Sequence, residues 1–457
     1  MRKREMLWAE QALTADGWQR DVRMELGVDG RITAVESGSP VQGRRVGILL
    51  PAPANLHSHA FQRAMAGLTE RRGPDPRDSF WTWRTLMYRF LDRLGPDELE
   101  SITAFAQMQM LEAGFAAVAE FHYVHHQPDG EPYSRLSELS NRVVVAASET
   151  GIGLTLLPVL YRYGGCDGKS LEGAQLRFGN SLERFARLRE EADAAARGLD
   201  ADARTGVAIH SLRAVDPEGL AFAASLAPRD PVHIHVAEQT AEVEEVEACL
   251  GARPVEWLLA NAAVDERWCL VHATHMASGE TSGLAASGAV AGLCPITEAS
   301  LGDGIFDGAN HQAQGGRFGV GTDSNIRISL AEELRMLEYS QRLRDRARAV
   351  LARPDGSTGR TLFEAAARGG AQAAMRDAGT LAPGRLADLV ALDAEAADLT
   401  GKQGDTLLDS FIFAGGDGMI TDVWSAGRHV VEAGRHVRHD EITRRYVGAI
   451  DALKEVL

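Results

Sequence analysis

Two histidines separated by one residue are the first feature of this sequence that suggests chemistry. His57 and His59 follow a short apolar run, residues 46–50. We predict that this run is a buried strand and that both histidines stand at its end. Alternate residues of a strand point to one side, so both imidazoles can face one point. Such a pair supplies half of a transition-metal site.

Two more candidate metal ligands occur at the ends of later apolar runs. His235 lies in the run 232–236, and Asp323 follows the run 318–321. Three imidazoles and one carboxylate (His57, His59, His235 and Asp323) suit one Zn²⁺ that carries a water molecule. The metal would lower the pKa of that water towards neutrality. No lysine follows the third or fourth predicted strand to bridge a second metal, so the sequence favours a mononuclear site.

Residues that could move protons lie beside these ligands. Glu238 stands three positions after His235, where it could shuttle protons between water and substrate. The alternative is an acid that interacts with the N-terminus of the following helix. His272 ends the next predicted strand and would be the second polar group on the same water. Asp323 could also accept the proton of that water, so Glu238, His272 and Asp323 are the predicted catalytic residues.

Four other histidines are better explained by structural roles. His233 lies deeper in the strand that contains His235, where a core or supporting role is expected. His275 lies beyond His272. His125 and His126 lie in a polar loop, and the four-ligand set is complete without them.

The order of apolar and amphipathic segments predicts a (β/α)₈ barrel over residues 49–376. Strand-length apolar runs alternate with amphipathic segments such as 240–250 and 330–347. The eight predicted strands are the run before His57 and residues 115–121, 154–160, 206–209, 232–236, 268–271, 290–293 and 318–321. Most are followed by polar, ligand-type residues. The carboxyl ends of barrel strands form the active-site mouth, so these residues would meet there.

Both ends of the chain read as short strands. Asp29-Gly30 lies between two strand-like runs and predicts a hairpin. Residues 419–424 and 429–432 are further strand candidates. We predict that residues 1–48 and 377–457 form one small β-sandwich domain, giving an α/β fold overall. The polar and aromatic stretch 61–95 is predicted to be a long loop that acts as a lid or binding element.

Composition excludes several classes of function. The 457 residues carry a net charge of −16, which argues against nucleic-acid binding because that needs a basic face. The four cysteines show no CxxC spacing, as in a reduced cytoplasmic protein. No apolar run approaches the length of a membrane span or a signal peptide. We therefore expect a cytoplasmic enzyme without a membrane partner, and a homodimer is the prior for such an enzyme.

Several of these residues together resemble one superfamily. His57-Ser58-His59, His235 with Glu238, His272, and Thr322-Asp323-Ser324 are similar to the mononuclear deaminase branch of the amidohydrolase superfamily. Longer stretches, residues 55–70, 80–84, 120–126 and 210–215, resemble the members that act on N-formimino-L-glutamate in histidine breakdown. Ala52 and Ala54 depart from the family, which usually has Gly and Met there.

The resemblance implies a reaction and a substrate site. It implies zinc-dependent hydrolysis of N-formimino-L-glutamate to N-formyl-L-glutamate and ammonia. A substrate with two carboxylates suits arginine, whose guanidinium binds a carboxylate with two hydrogen bonds. The residues that match the family's substrate-binding positions are Gln62, Arg84, Tyr123, His210 and Arg213.

Two alternatives remain at this stage. The same metal chemistry could deaminate an aromatic amidine such as a guanine-like or cytosine-like ring, which would require stacking aromatic residues rather than arginines. The other is a non-catalytic binding protein on a barrel scaffold. Such proteins typically lose metal ligands, whereas this sequence keeps all four together with Glu238 and His272.

Overall fold

The computed structural model describes residues 4–70 and 80–454. The chain begins with strands β1 (Glu5–Thr14), β2 (Gly17–Leu26), β3 (Ile32–Glu36) and β4 (Arg44–Pro51). Nine strands follow: β5 (Ala54–Ser58), β6 (Ala117–His122), β7 (Gly153–Leu160), β8 (Arg204–Thr205), β9 (Val207–Ile209), β10 (Val232–Val236), β11 (Trp268–His272), β12 (Val290–Leu293) and β13 (Arg317–Val320). The last strands are β14 (Leu389–Leu392), β15 (Ile420–Ser425), β16 (Arg428–Glu432) and β17 (Arg435–His436).

Helices connect the strands of the middle region. They are α1 (Phe80–Leu91), α2 (Pro96–Glu112), α3 (Glu138–Thr150), α4 (Leu182–Ala196), α5 (Pro217–Ser225), α6 (Thr240–Leu250), α7 (Pro254–Asn261), α8 (Ser278–Ser287), α9 (Pro295–Leu301), α10 (Gly308–Ala313), α11 (Leu330–Asp345) and α12 (Thr358–Ala373). Two helices, α13 (Asp405–Phe413) and α14 (His439–Leu453), belong to the C-terminal part. Within the described residues, no helix is both long enough and apolar enough to cross a membrane.

Eight parallel strands form the predicted barrel. Their hydrogen-bonded order is β5, β6, β7, β9, β10, β11, β12 and β13, while the short β8 pairs with β7. The barrel closes where the Asp323 backbone N–H donates to the His57 carbonyl over 3.0 Å. Gly321 permits this approach, because a Cβ there would lie 2.7 Å from the His57 backbone nitrogen. Barrel closure therefore brings the first and last candidate ligands together.

One strand prediction was wrong. The apolar run 46–50 belongs to β4, which pairs with β1 and β14 rather than with a barrel strand. The first barrel strand is β5, and it contains His57 itself. Two strands of different sheets thus follow each other across Ala52 and Pro53. The other seven predicted strands match observed barrel strands to within two residues at each end.

The two chain ends form one sheet of eight strands, in the order β17, β16, β15, β14, β4, β1, β2 and β3. The predicted hairpin at Asp29-Gly30 is present as the antiparallel pair β2–β3. The predicted sandwich is thus a single hydrogen-bonded sheet. It has its own apolar core, in which Leu7, Met24, Leu49 and Trp424 are buried. The fully buried Arg376 joins this sheet to the barrel: its Nε donates to Asp388 over 2.5 Å.

The stretch 61–95 is not the continuous loop that we predicted. A 3₁₀ helix covers Ala60–Met65, and α1 covers Phe80–Leu91. The middle of the stretch, residues 71–79, lies outside the described residues. Met87, Phe90 and Leu91 are buried at helical spacing on one side of α1. This periodicity was the available signal for a helix.

Candidate active site

The candidate metal ligands all stand at the carboxyl ends of barrel strands. His57 lies in β5 and His59 directly after it, His235 lies in β10, and Asp323 follows β13. All four are buried, with relative exposures from 0% to 7%. The structure therefore brings together four residues predicted from three separate motifs.

Their spacing matches a tetrahedral metal shell. His57 Nε2 lies 3.0 Å from His235 Nε2 and 3.2 Å from Asp323 Oδ1. His59 Nε2 lies 3.3 Å from the same Asp323 oxygen. Ligand atoms about 2.0–2.1 Å from one tetrahedral zinc ion would stand about 3.3 Å apart. These three separations are consistent with donor atoms that share one zinc ion.

Burial keeps these imidazoles in the form that binds metals. It lowers the pKa of His57 to about 3 and also lowers the pKa of His59 and His235. Neutral imidazole is the metal-binding state. Burial alone would raise the pKa of Asp323, but the hydrogen bond from His57 holds it well below its usual range. His59 Nδ1 lies 2.9 Å from the Phe121 carbonyl, which leaves Nε2 for the metal.

His272 also approaches this cluster. One ligand atom each from His57, His235, His272 and Asp323 lie within 4.8 Å of one another. Nevertheless, His272 Nδ1 lies 3.2 Å from Glu298 Oε1, and its Nε2 lies 3.8 Å from Glu238 Oε1. Burial would lower the pKa of His272, but these two carboxylates raise it well above its usual value. Both ring nitrogens of His272 thus lie near carboxylates outside the predicted ligand set, an arrangement consistent with the predicted role of His272 in proton transfer.

Unusual backbone conformations concentrate at these strand ends. Ala237, His272, Ala273, Asp323 and Asn325 all have φ between +44° and +67°. Non-glycine residues rarely adopt such angles, and each costs on the order of 1–3 kcal/mol. Such strain is typical of sites where side-chain direction matters for function.

Glu238 stands at the wall of the cavity that contains the cluster. It follows β10 and precedes α6, and its backbone N–H donates to Glu242 Oε2 over 2.9 Å. Its own carboxylate is therefore not the group that caps the helix. Burial raises the pKa of Glu238 to about 7, where a carboxyl group can both take up and release a proton near neutral pH.

The predicted substrate residues line the same cavity, which has an empty volume of about 700 Å³. Gln62 Nε2 donates to the Tyr123 hydroxyl over 2.9 Å, and that hydroxyl lies 3.4 Å from Met87 Sδ. Arg84 reaches the cavity from α1, and its Nε donates to the Tyr88 hydroxyl. The described residues that line the cavity include Gln62, Arg84, Tyr123, His210 and Arg213.

Arg213 also lines the cavity, from the turn after β9. Burial would lower its pKa, but nearby Glu242 raises it, so the guanidinium stays charged. The charges of Arg213 and Arg84 help burial to hold the pKa of His210 well below its usual value. Arg84 and Arg213 therefore bring two cationic groups to the cavity although the whole chain is acidic, which is suited to an anionic ligand.

The four histidines interpreted as structural have backbone or amide partners outside the cavity. His233 Nε2 lies 2.9 Å from the Ala373 carbonyl, and His275 Nε2 lies 2.8 Å from the Asp303 carbonyl. His125 Nε2 lies 3.0 Å from the Val159 carbonyl, and His126 Nε2 lies 3.0 Å from Asn180 Oδ1.

Sequence reasoning missed several residues of the site. Glu242 and Tyr88 line the cavity, and Glu298 contacts His272. Glu242 lies one helical turn after Glu238, which was a usable signal. Tyr88 lies one turn after Arg84 on α1, which we had predicted to be a loop. Glu298 carries no local signal, because its role depends on where β12 and α9 place it.

Comparisons with known proteins agree with this geometry. Residues 48–430 match the amidohydrolase family, and residues 4–44 match the N-terminal domain of formimidoylglutamate deiminase HutF. The chain is 50% identical to a formimidoylglutamate deiminase from Pseudomonas aeruginosa, over 98% of this chain and 99% of that protein. It is 29% identical to an 8-oxoguanine deaminase from the same organism, over 75% of this chain and 73% of that protein.

Two solved structures extend the comparison. An amidohydrolase from Brucella melitensis superposes with a TM-score of 0.94 at 48% identity, covering 98% of this chain and 100% of that chain. A zinc-bound adenosine deaminase from Xanthomonas campestris superposes with a TM-score of 0.82 at 20% identity, covering 99% and 98%. The latter likeness concerns the fold alone.

Proposed function

Because this chain belongs to the amidohydrolase family, and to the formimidoylglutamate deiminase branch represented by its 50% identical relative, we propose that it hydrolyses N-formimino-L-glutamate to N-formyl-L-glutamate and ammonia in histidine breakdown. Membership of this family makes it a hydrolase of carbon–nitrogen bonds rather than a non-catalytic barrel protein. We further propose one zinc ion per subunit, a cytoplasmic location and a homodimer.

The observation that carries the proposal is one cavity with two chemically different parts. His59, His235 and Asp323 line it together with Glu238 and His272, and so do Arg84 and Arg213. Two arginines offer bidentate partners to a dicarboxylate. A neutral purine or pyrimidine ring has no carboxylate to offer to either guanidinium group. The cavity therefore favours a linear amidine that carries two carboxylates.

Zinc fits His57, His59, His235 and Asp323, whose donor atoms have the spacing and protonation described above. When bound, zinc supplies Lewis-acid polarisation and lowers the pKa of a water molecule. Other divalent metals accept the same donor types, so the proposal is tested by metal analysis of the purified protein.

The chain's own residues would divide the proton transfers. Asp323 Oδ accepts a proton from the attacking water as the C–O bond forms. Glu238 delivers a proton to the formimino nitrogen, so that the C–N bond breaks and ammonia leaves. The cationic His272 stabilises negative charge on the tetrahedral oxygen. Gln62 Oε1, buried and without a hydrogen-bond partner among the described residues, is available to accept from the substrate.

Ammonia release from N-formimino-L-glutamate by zinc-loaded protein tests the proposed function. We expect turnover of this substrate and no turnover of guanine, cytosine or 8-oxoguanine measured under the same conditions. Activity on a nucleobase alone would overturn the substrate assignment and favour the aromatic-amidine alternative. Inactivity on all four compounds with zinc bound would also contradict the proposal.

Arg213→Ala is expected to raise KM for N-formimino-L-glutamate by about 30-fold or more, because a charge-assisted bidentate contact contributes about 2 kcal/mol or more. The matched control is Arg189→Ala, since Arg189 pairs with Asp230 away from the cavity, at 2.8 Å. Steady-state kinetics of both variants measure KM for N-formimino-L-glutamate. An unchanged KM in Arg213→Ala would remove this residue from the substrate site.

A further inference from the structure

Asp303 is a buried carboxylic acid beside the candidate active site to which the steps above assign no role. It lies in the loop between α9 and α10, and 5% of its surface is exposed. It is not among the described residues that line the cavity, so it would not touch a bound substrate. One ligand-type atom each of Asp303, Glu238 and His272 lie within 4.8 Å of one another.

Three hydrogen bonds fix the direction of Asp303. Its backbone N–H donates to the Glu298 carbonyl over 2.9 Å, and its carbonyl lies 2.8 Å from His275 Nε2. Its Oδ1 accepts from the side-chain amide of Gln239. The second oxygen, Oδ2, is buried and has no hydrogen-bond partner within residues 4–70 and 80–454. Oδ2 is therefore the Asp303 oxygen that is left to take part in a further hydrogen bond.

An ionised Asp303 carboxylate without a hydrogen-bond partner would be unfavourable here. The cost falls if Asp303 and Glu238 together carry one proton. Burying an ion without a hydrogen bond is strongly unfavourable, and two adjacent carboxylates cannot both ionise easily. Burial and the charge of Glu238 raise the pKa of Asp303 to about 9. A carboxylic acid that donates to a neighbouring carboxylate satisfies both groups, as in other carboxyl pairs that share one proton.

We propose that Asp303 is a positioning residue that shares one proton with Glu238, donating from Oδ2 to the Glu238 carboxylate and refilling Glu238 during turnover. The inference rests on the proposed deimination. In that reaction the formamidinium substrate and water become the formyl product and ammonium. The water oxygen loses two protons as it becomes the formyl oxygen, and the departing nitrogen gains two. The shared proton passes from Asp303 through Glu238 to the nitrogen. Of the two protons that the water oxygen loses, one completes the ammonium ion and the other returns to the pair, which ends the turnover as it began.

The other ionisable groups that face this pair come from three neighbouring strand ends and two helices. They are His272 from the end of β11, Asp323 after β13, Arg213 after β9, Glu242 of α6 and Glu298 of α9. A substitution at Asp303 leaves all of them in place. A change in the pH profile of such a variant therefore reports the Asp303 carboxyl group.

Asp303→Asn separates proton sharing from simple orientation. The Gln239 amide donates to Oδ1, so the new side chain keeps its oxygen there and presents its NH₂ to Glu238. It can donate a hydrogen bond but cannot supply a proton. We expect the alkaline limb of kcat/KM to move to lower pH by about one unit or more, since coupled carboxyls shift each other by that amount. KM should change little, because Asp303 does not line the cavity.

Asp307→Asn is the matched control, because Asp307 is partly exposed and lies four residues later in the same loop region, 3.8 Å from Arg344. The pH profile of kcat/KM for Asp307→Asn should coincide with that of the wild-type enzyme. An Asp303→Asn profile that coincides with the wild type, or that falls equally at every pH, would show a structural role only and overturn the inference. An inactive wild-type enzyme would instead overturn the proposed function.

Infrared spectroscopy gives a second readout that needs no turnover. Subtracting the spectrum of zinc-loaded Asp303→Asn from that of the zinc-loaded wild type should leave the band of a protonated carboxyl group at neutral pH. The same band should be lost or displaced in Glu238→Gln, so the test remains decisive if Asp303→Asn does not fold. Absence of the band in the wild type at neutral pH would overturn the shared proton.

Discussion

Replacement of Glu238 by glutamine should lower kcat for N-formimino-L-glutamate by about 10²- to 10⁴-fold, the usual contribution of a positioned general acid or base. Glutamine keeps the size and hydrogen-bonding capacity of the side chain but cannot carry a proton. Glu238 is not in the predicted ligand set, so the zinc content should stay at one ion per chain. Steady-state kinetics together with metal analysis of the same preparation measure both quantities.

The matched control for this prediction is Glu244→Gln. Glu244 lies on α6 like Glu242, but its side chain is exposed to solvent. Its kcat should equal that of the wild-type enzyme. If Glu238→Gln retained roughly a tenth or more of the wild-type kcat, Glu238 would not be the main proton carrier. Loss of zinc from Glu238→Gln would instead place this carboxylate in the metal shell and contradict the ligand assignment.

Asp323→Asn should reduce kcat by on the order of 10³-fold and also weaken zinc binding. The carboxylate lies 3.2 Å from His57 Nε2 and 3.3 Å from His59 Nε2. The proposed mechanism uses this one group both to bind the metal and to accept the proton of the attacking water. An amide is neutral, binds zinc less strongly and does not accept the proton. Zinc content after dialysis and kcat at saturating zinc separate the two effects.

Asp345→Asn provides the control for the loss of a carboxylate, because Asp345 is exposed at the end of α11. It should leave both zinc content and kcat unchanged. Full activity of Asp323→Asn at saturating zinc would exclude Asp323 as the proton acceptor. Full zinc retention after dialysis would exclude it as an important ligand.

Much of the fold could be predicted because the barrel strands are short, apolar and separated by amphipathic helices. The runs 232–236 and 290–293 coincide with β10 and β12, since burial on both faces makes a strand apolar along its whole length. The first strand was misplaced because β4 and β5 are consecutive but lie in different sheets. Because β4 and β5 are both largely buried, no local pattern shows which of them belongs to the barrel.

Some residues of the candidate site could be predicted from local patterns, and others could not. Residues at strand ends, such as His57, His235 and Asp323, were identified because the barrel places all such ends on one face. The role of Arg84 depended on resemblance alone, since its stretch was predicted to be a loop. Its position on α1 is established by the buried face of that helix.

The sequence by itself determined the barrel, the chemical types of the ligands and their order along the chain, because periodicity and residue type are local properties. Only the tertiary structure decided which atoms meet. Barrel closure pairs Ser58 with Asp323, and the loop after α9 places Asp303 beside Glu238. It also raised the pKa of His272 and lowered that of His57. Distances and protonation depend on burial and on neighbours that are distant in the chain, and no local pattern records them.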